Sequence, residues 1–337
     1  MNAEREFRIG VLGTGAIAQV VHLPILSELT GVRVQAVCDA DRSKATALAS
    51  RFGIPRVLRT DEEVLESKDI EAVIICTPSH LHEAEAIAAL EAGKHVLVEK
   101  PLALSAEGAL RVLKAAERTG TTLMVAMNNR YRPDCTALKP FLSGRELGHV
   151  FLMKGAWLNR KVRVARPTWR HRRETAGGGA LMDLGVQVLD LCLWLLDFPR
   201  IRRVVAHVHA GESMEVEDSA AVLLATETGT TISVALSWSL VAERDRHYLR
   251  MLGTRGSASI APLGVYKEVE HGLLDLTPQL PPGRENVYTA SYRQELEAFV
   301  RAARGQEKPA PPHEQVELMK LIALAYQSAE QGREIQT

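Results

Sequence analysis

Glu99-Lys100-Pro101 places one ionisable amine directly after the apolar run Val96-Leu97-Val98. In doubly wound sheets the carboxyl end of such a strand is where ligands meet the protein. Proline pushes the residue before it out of helical geometry, so Lys100 should leave its strand in a fixed extended or cis turn. A lysine at a strand end is most often plain surface, but the residues upstream favour chemistry. Gly13-Thr14-Gly15-Ala16-Ile17-Ala18 matches GxGxxA, whose glycines permit a tight turn and close approach of backbone to a pyrophosphate at a helix amino terminus. Asp39, which ends the next apolar run, can accept hydrogen bonds from a ribose diol and would repel a 2′-phosphate, favouring NAD over NADP. Arg42 weighs the other way, as a contact for a 2′-phosphate, unless it lies beside adenine or pairs with an acid. Thr77, Pro78, Ser79, His80 and His82 follow a third apolar run; they read as helix caps or as lining on the cofactor side.

Elements to position these groups are present in order. Short β-branched runs at 8–12, 32–38, 72–76, 95–99 and 122–126 alternate with helical patterns at 16–29, 43–52, 80–92 and 105–119, the last capped by Ser105. That alternation is the pattern of parallel βαβ units, so residues 1–127 read as a dinucleotide-binding domain. Pro24 should kink the first helix. After Asn128-Asn129-Arg130-Tyr131-Arg132-Pro133 the alternation stops. Strand patterns at 150–157, 203–209, 220–225, 230–239 and 248–253 then follow one another, with a tight turn at Glu227-Thr228-Gly229, which suggests an open antiparallel or mixed sheet over 128–290. Helices at about 291–303 and 314–330 should pack back on the body.

One helix interrupts the second half, over 179–196. Asp183, Gln187 and Asp190 share a face of it, with Leu184, Val188, Leu191 and Leu195 on another. Gly177-Gly178-Gly179, just before it, allows another group to approach the backbone. Ahead of the glycines, Arg160 to Arg173 holds seven Arg or Lys in fourteen positions. Such a run is either a solvated loop or an anion site, and Arg166 and Arg170 are the candidates for a carboxylate, phosphate or nucleotide diphosphate on the substrate.

Composition sets the limits. The chain has 337 residues, 46% of them hydrophobic, enough for about two domains with full cores. Lys plus Arg equals Asp plus Glu at 41 each, which argues against nucleic acid or an acidic membrane as partner. Four cysteines, Cys38, Cys76, Cys135 and Cys192, show no CxxC pair and read as reduced core residues of a cytoplasmic protein. No membrane span is expected, and no residue spacing suggests a metal site.

Taken in order, GTGAIA, TPSHLH, EAGKHVLVEKPLA, NNRYRP, Trp169 before GGGALMDLG and the closing helices resemble the glucose-fructose oxidoreductase and inositol dehydrogenase (Gfo/Idh/MocA) family over nearly the whole chain. The resemblance implies a Rossmann domain joined to an open-faced sheet that makes a homodimer or homotetramer. It implies that Lys100 contacts the nicotinamide ribose and the substrate hydroxyl and that Asp183 meets the substrate. It also puts Asn128, Arg130 and Trp169 near the cofactor. One position departs from the family pattern DxGxHxxD, because Gln187 stands where the proton-carrying histidine is usual. An amide holds a hydroxyl but does not exchange protons near neutral pH. The leading expectation is hydride transfer between NAD and a sugar, cyclitol or related carbon, with Lys100 and Asp183 sharing the proton work. A regulator that keeps NAD as a structural ligand, favoured by Gln187, and a hydrolase that uses NAD transiently are the competing readings.

Overall fold

Uninterrupted apolar runs are what a sheet covered on both faces demands, and the first sheet is built from them. Its strands are β1 (Phe7–Leu12), β2 (Val32–Cys38), β3 (Arg56–Leu58), β4 (Ala72–Ile75), β5 (His95–Val98) and β6 (Leu123–Val125), all parallel, in the order β3-β2-β1-β4-β5-β6. Every residue of β4 is buried, as are Val96, Leu97 and Val98 in β5. The order reverses between β1 and β4, and ligands of open α/β sheets bind at the carboxyl edge of such a switch point. The computed structural model describes residues 5–161, 168–211, 214–280 and 285–337. The chain divides into two units, Met1–Asn128 with Tyr288–Val316, and Asn129–Val287 with Glu317–Thr337.

Two local features of the first unit differ from the sequence pattern. The helix after the glycine turn is not uniformly α-helical ahead of Pro24. The chain widens into a π turn over Ala18–His22, closed by the Leu23 N–H on the Ala18 carbonyl, and resumes as an α-helix over Leu23–Glu28 with Pro24 in its first turn. Proline lacks an N–H and its ring crowds the carbonyl four residues back, so the wide turn removes the conflict. The short strand β3 and the helix Asp61–Leu65 are additional elements. Their half-buried, charged residues carry no periodicity that reveals them. The helix Ala106–Thr119 has the expected cap, with Ser105 Oγ accepting from the Gly108 N–H at 3.0 Å.

The second unit holds a nine-stranded sheet of β7 (Val150–Arg160), β8 (Ile201–His209), β9 (Ser219–Thr226), β10 (Thr231–Leu240), β11 (Arg246–Gly253), β12 (Gly256–Ile260), β13 (Gly264–Val269), β14 (Gly272–Asp275) and β15 (Ile335–Gln336). Its order is β14-β13-β12-β11-β7-β10-β9-β8-β15. The sheet is mixed, because β7 and β10 lie side by side in parallel while every other pair is antiparallel. Register keeps one face apolar across seven strands: Val204, Leu224, Ile232, Met153, Met251, Ala258 and Val265 form a single buried row. One residue along, Val205, Leu223, Ser233, Lys154 and Arg250 form a row on the other face. There Val205, Leu223, Lys154 and Arg250 are exposed and Ser233 is half-buried. The apolar helical run Arg173–Leu195 would be long enough to cross a membrane by composition, yet 89% of its most apolar window is buried within the protein.

Candidate active site

At the switch point of the first sheet, Gly13 has φ +84°, and a Cβ on it would stand 2.7 Å from the Cys76 carbonyl carbon and the Thr77 nitrogen. Only glycine fits there. The turn stays bare of side chains, and helical structure begins at Ala16, so its first N–H groups face the carboxyl edge of the sheet. Thr14 is buried and Ile17 half-buried, whereas Ala16 is exposed. Asp39 closes the turn from β2. Its Oδ2 accepts from the Thr14 N–H at 2.6 Å and the Thr14 hydroxyl at 2.7 Å, and its Oδ1 accepts from the Asp41 N–H at 2.8 Å. A carboxylate fixed in that way is set to receive a diol. Asp41 caps the helix Arg42–Phe52, and Arg42 is exposed at its first position. These features fit a dinucleotide: a bare glycine turn, a helix start behind it, and an acid on the neighbouring strand.

The ends of β4 and β5 complete this half. Thr77 donates from its hydroxyl to Glu85 Oε2. Burial pushes the Glu85 carboxyl up to about 8, against the pull of that hydrogen bond. Pro78 is half-buried, Ser79 buried and His80 exposed. His82 turns inward, with Nδ1 2.7 Å from the Pro101 carbonyl oxygen and Nε2 2.9 Å from that of Thr77. Burial draws its pKa down. Glu99 is buried and Lys100 half-buried, and the Lys100–Pro101 peptide bond is cis. Asn128, also buried, donates from Nδ2 to Ser291 Oγ at 2.9 Å.

In the second unit, Asp183 sits in a π turn over Leu181–Gly185 that leads into the α-helix Val186–Leu195. The carboxylate of Glu217 holds the start of this run, accepting from the Gly179 N–H at 2.9 Å, the Leu181 N–H at 3.0 Å and the Tyr326 hydroxyl at 2.8 Å. A Cβ on Gly179 would collide with the Glu217 carbonyl oxygen, which explains the last glycine of the triplet. Asp183 is half-buried and faces Arg170, whose Nη1 is 3.6 Å from Oδ1. The Arg170 guanidinium in turn lies 4.6 Å from the centroid of the Trp169 ring, and His171 meets Trp238 edge-on at 6.2 Å. Gln187 is buried, and its Oε1 accepts from Asn129 Nδ2 at 3.2 Å. Arg130 binds Asp190 through two hydrogen bonds and lies over the Phe198 ring. The polar face of the helix thus meets the 129–130 segment and Arg170. Arg166 lies outside the described residues.

Sequence reasoning misses several partners. His22, whose Nε2 is 2.7 Å from Glu99 Oε1, is a lone polar residue in the apolar stretch VVHLPIL, which is a signal of a sort. Glu217, Tyr326 and Asn129 carry none, because their partners are distant in sequence or their types are ordinary.

Residues 7–127 match the Gfo/Idh/MocA oxidoreductase family model for an NAD-binding Rossmann fold, and residues 139–337 match the model for its C-terminal alpha/beta domain. This chain belongs to the Gfo/Idh/MocA oxidoreductase family. It is accordingly an NAD-dependent oxidoreductase. D-glucoside 3-dehydrogenase of Escherichia coli K12 is 27% identical over 98% of this chain and 97% of its own length. Inositol 2-dehydrogenase of Acidothermus cellulolyticus is 31% identical over 71% of this chain and 69% of its own. Among solved structures, GenD2 from gentamicin A biosynthesis, in complex with NAD, superposes with a TM-score of 0.87 at 28% identity, covering 100% of this chain and 98% of that one.

Proposed function

We propose that this Gfo/Idh/MocA oxidoreductase interconverts a secondary hydroxyl and a ketone on a sugar, cyclitol or sugar derivative, with Lys100 and Asp183 as its proton-transfer pair. The observation that carries the reading is the replacement at position 187: the side chain there is an amide, anchored by Asn129 through its oxygen. That anchoring leaves the Gln187 NH2 group as a donor, able to hold a substrate oxygen but not to exchange its proton. Proton work then falls to Lys100, at the end of β5, together with Asp183. In the oxidative direction the hydroxyl proton passes to Lys100 Nζ and on to solvent.

Residues 13–17, Asp39, Thr77 to Ser79, Glu99, Lys100, Asn128 and Trp169 would hold NAD, which would supply the hydride acceptor. The substrate class is supported by the relatives, whose names specify a glucoside and inositol. An anionic group on the substrate would meet Arg170. For assembly, the exposed row Val205, Leu223, Lys154 and Arg250 supports a homodimer or homotetramer formed through the outer face of the sheet.

The test is NADH formation across a panel of polyols and NADH consumption across keto-sugars. Turnover in the wild type, lost in Lys100→Ala while NADH still binds, is the expected result. Undiminished turnover in Lys100→Ala would sink the reading.

A further inference from the structure

The turn that carries Lys100 is gripped on both flanks by imidazoles the proposed reaction does not use. On one side is His22, its side chain fully buried, with Nε2 2.7 Å from Glu99 Oε1. The His22 Nδ1 is buried without a hydrogen-bond partner. A carboxylate only accepts, so the hydrogen of this contact belongs on Nε2, directed at Glu99. The Tyr292 ring seals this contact edge-on, 5.9 Å from the His22 ring. Burial pushes the Glu99 carboxyl up, but the hydrogen bond from His22 and the nearby charges of His22, Lys100 and His82 bring it below its ordinary value, so residue 99 is a carboxylate.

On the other side, His82 reaches the carbonyl oxygens of Pro101 and Thr77 with its two ring nitrogens. Carbonyls only accept, so both bonds exist together only when the ring carries two protons. Burial opposes that charge, and the Glu99 carboxylate favours it. In either state the ring spans the ends of β4 and β5. Residue 100 therefore lies between a neighbour anchored by its side chain and a neighbour anchored by its carbonyl.

We propose that His22 and His82 are positioning residues for Lys100: they fix Glu99 and Pro101 so that the amine is presented from one backbone geometry. The inference rests on the reading of Lys100 as the proton-transfer group. Misplacement of a reacting group by about 1 Å costs on the order of 100-fold in rate, while cofactor affinity, spread over the glycine turn, Asp39 and further contacts besides the 99–101 turn, would change far less.

The experiment measures acetylation of Lys100 by acetic anhydride at fixed pH, resolved by peptide mass spectrometry, in the full chain with and without NADH. Steady-state kinetics with the best polyol found run beside it. His22→Leu, which removes the donor, is expected to change the Lys100 acetylation rate at least about threefold and to lower kcat about 10- to 100-fold. KM and NADH affinity should stay within about threefold, and His22→Gln, which keeps an N–H for Glu99, should recover most of both losses. Should His22→Leu not fold, His82→Leu tests the other flank with the same expected pattern. Wild-type acetylation and kcat in either soluble variant would overturn the proposal, as would equal defects in His22→Gln and His22→Leu. Retained turnover in Lys100→Ala would instead overturn the assignment of Lys100, leaving the acetylation rates to judge the anchoring.

Discussion

The two chemistry-bearing turns are built in opposite ways. Around Lys100 the polar partners are buried: His22 at 0% side-chain exposure, Glu99 at 10%, and His82 closed between two carbonyls. Around Asp183 one partner is Arg170, 46% exposed, lying on an indole face in a basic segment. A buried polar group must be satisfied by fixed partners, so the cofactor side admits one arrangement. An exposed ion pair contributes little to stability and rearranges readily.

The comparison can be broken first at the glycine turn. Gly13→Ala has no room for its methyl group, and NADH affinity is expected to fall at least about 100-fold, equivalent to about 2.7 kcal/mol, by fluorescence titration. Affinity within threefold of wild type would show that the cofactor side is not rigid. Next in size is Asp183→Asn, which keeps the shape but removes the charge. Its kcat should drop about 100-fold with NADH affinity unchanged. An equal loss in both quantities would mean that Asp183 shapes the whole site rather than the substrate half.

Arg170→Ala should act more weakly, raising KM about fivefold, or about 1 kcal/mol, in line with an exposed pair. An unchanged KM for the best substrate would remove the anionic group from the substrate.

The smallest effect concerns Glu85. Its carboxyl is raised from 4.5 to about 8, so it contributes stability fully below pH 4.5 and loses it as pH climbs through 8. Glu85→Gln should therefore melt about 3 °C above wild type at pH 9, with the gap closing toward pH 4.5. A gap independent of pH would place the effect in packing.

Legibility in the sequence divides along the same line. The placements of Gly13, Asp39 and Lys100 are readable because they are local: a turn type, a strand end, a proline neighbour. Five strands of the buried row, β7 to β11, are readable from alternation, but β12 and β13 are not, being short and rich in Gly and Ser or in charge, and neither is the parallel pairing of β7 with β10, since alternation is blind to direction. His22 and Glu99 are 77 residues apart, and Glu217 is 38 residues from Gly179, so neither contact leaves a periodic trace. The π turn at Asp183 is hidden for a different reason. Its residues form an ordinary helical pattern, and the widening occurs where Gly185 lies against the methyl ends of Leu181 and Leu236, which would have to shift to admit a Cβ.

Tyr292, which seals His22, and Ser291, which receives Asn128, both lie in the helix Val287–Ala303 and belong to the first unit. A ribosome makes residues 1–128 early, then the whole intervening unit, and only then this helix. The glycine turn and the Lys100 strand must wait through that interval without their last two partners. A newborn chain can therefore acquire its nucleotide fold well before it acquires a finished site. Arrest of translation before residue 288 should leave a sheet whose buried imidazole is open to water.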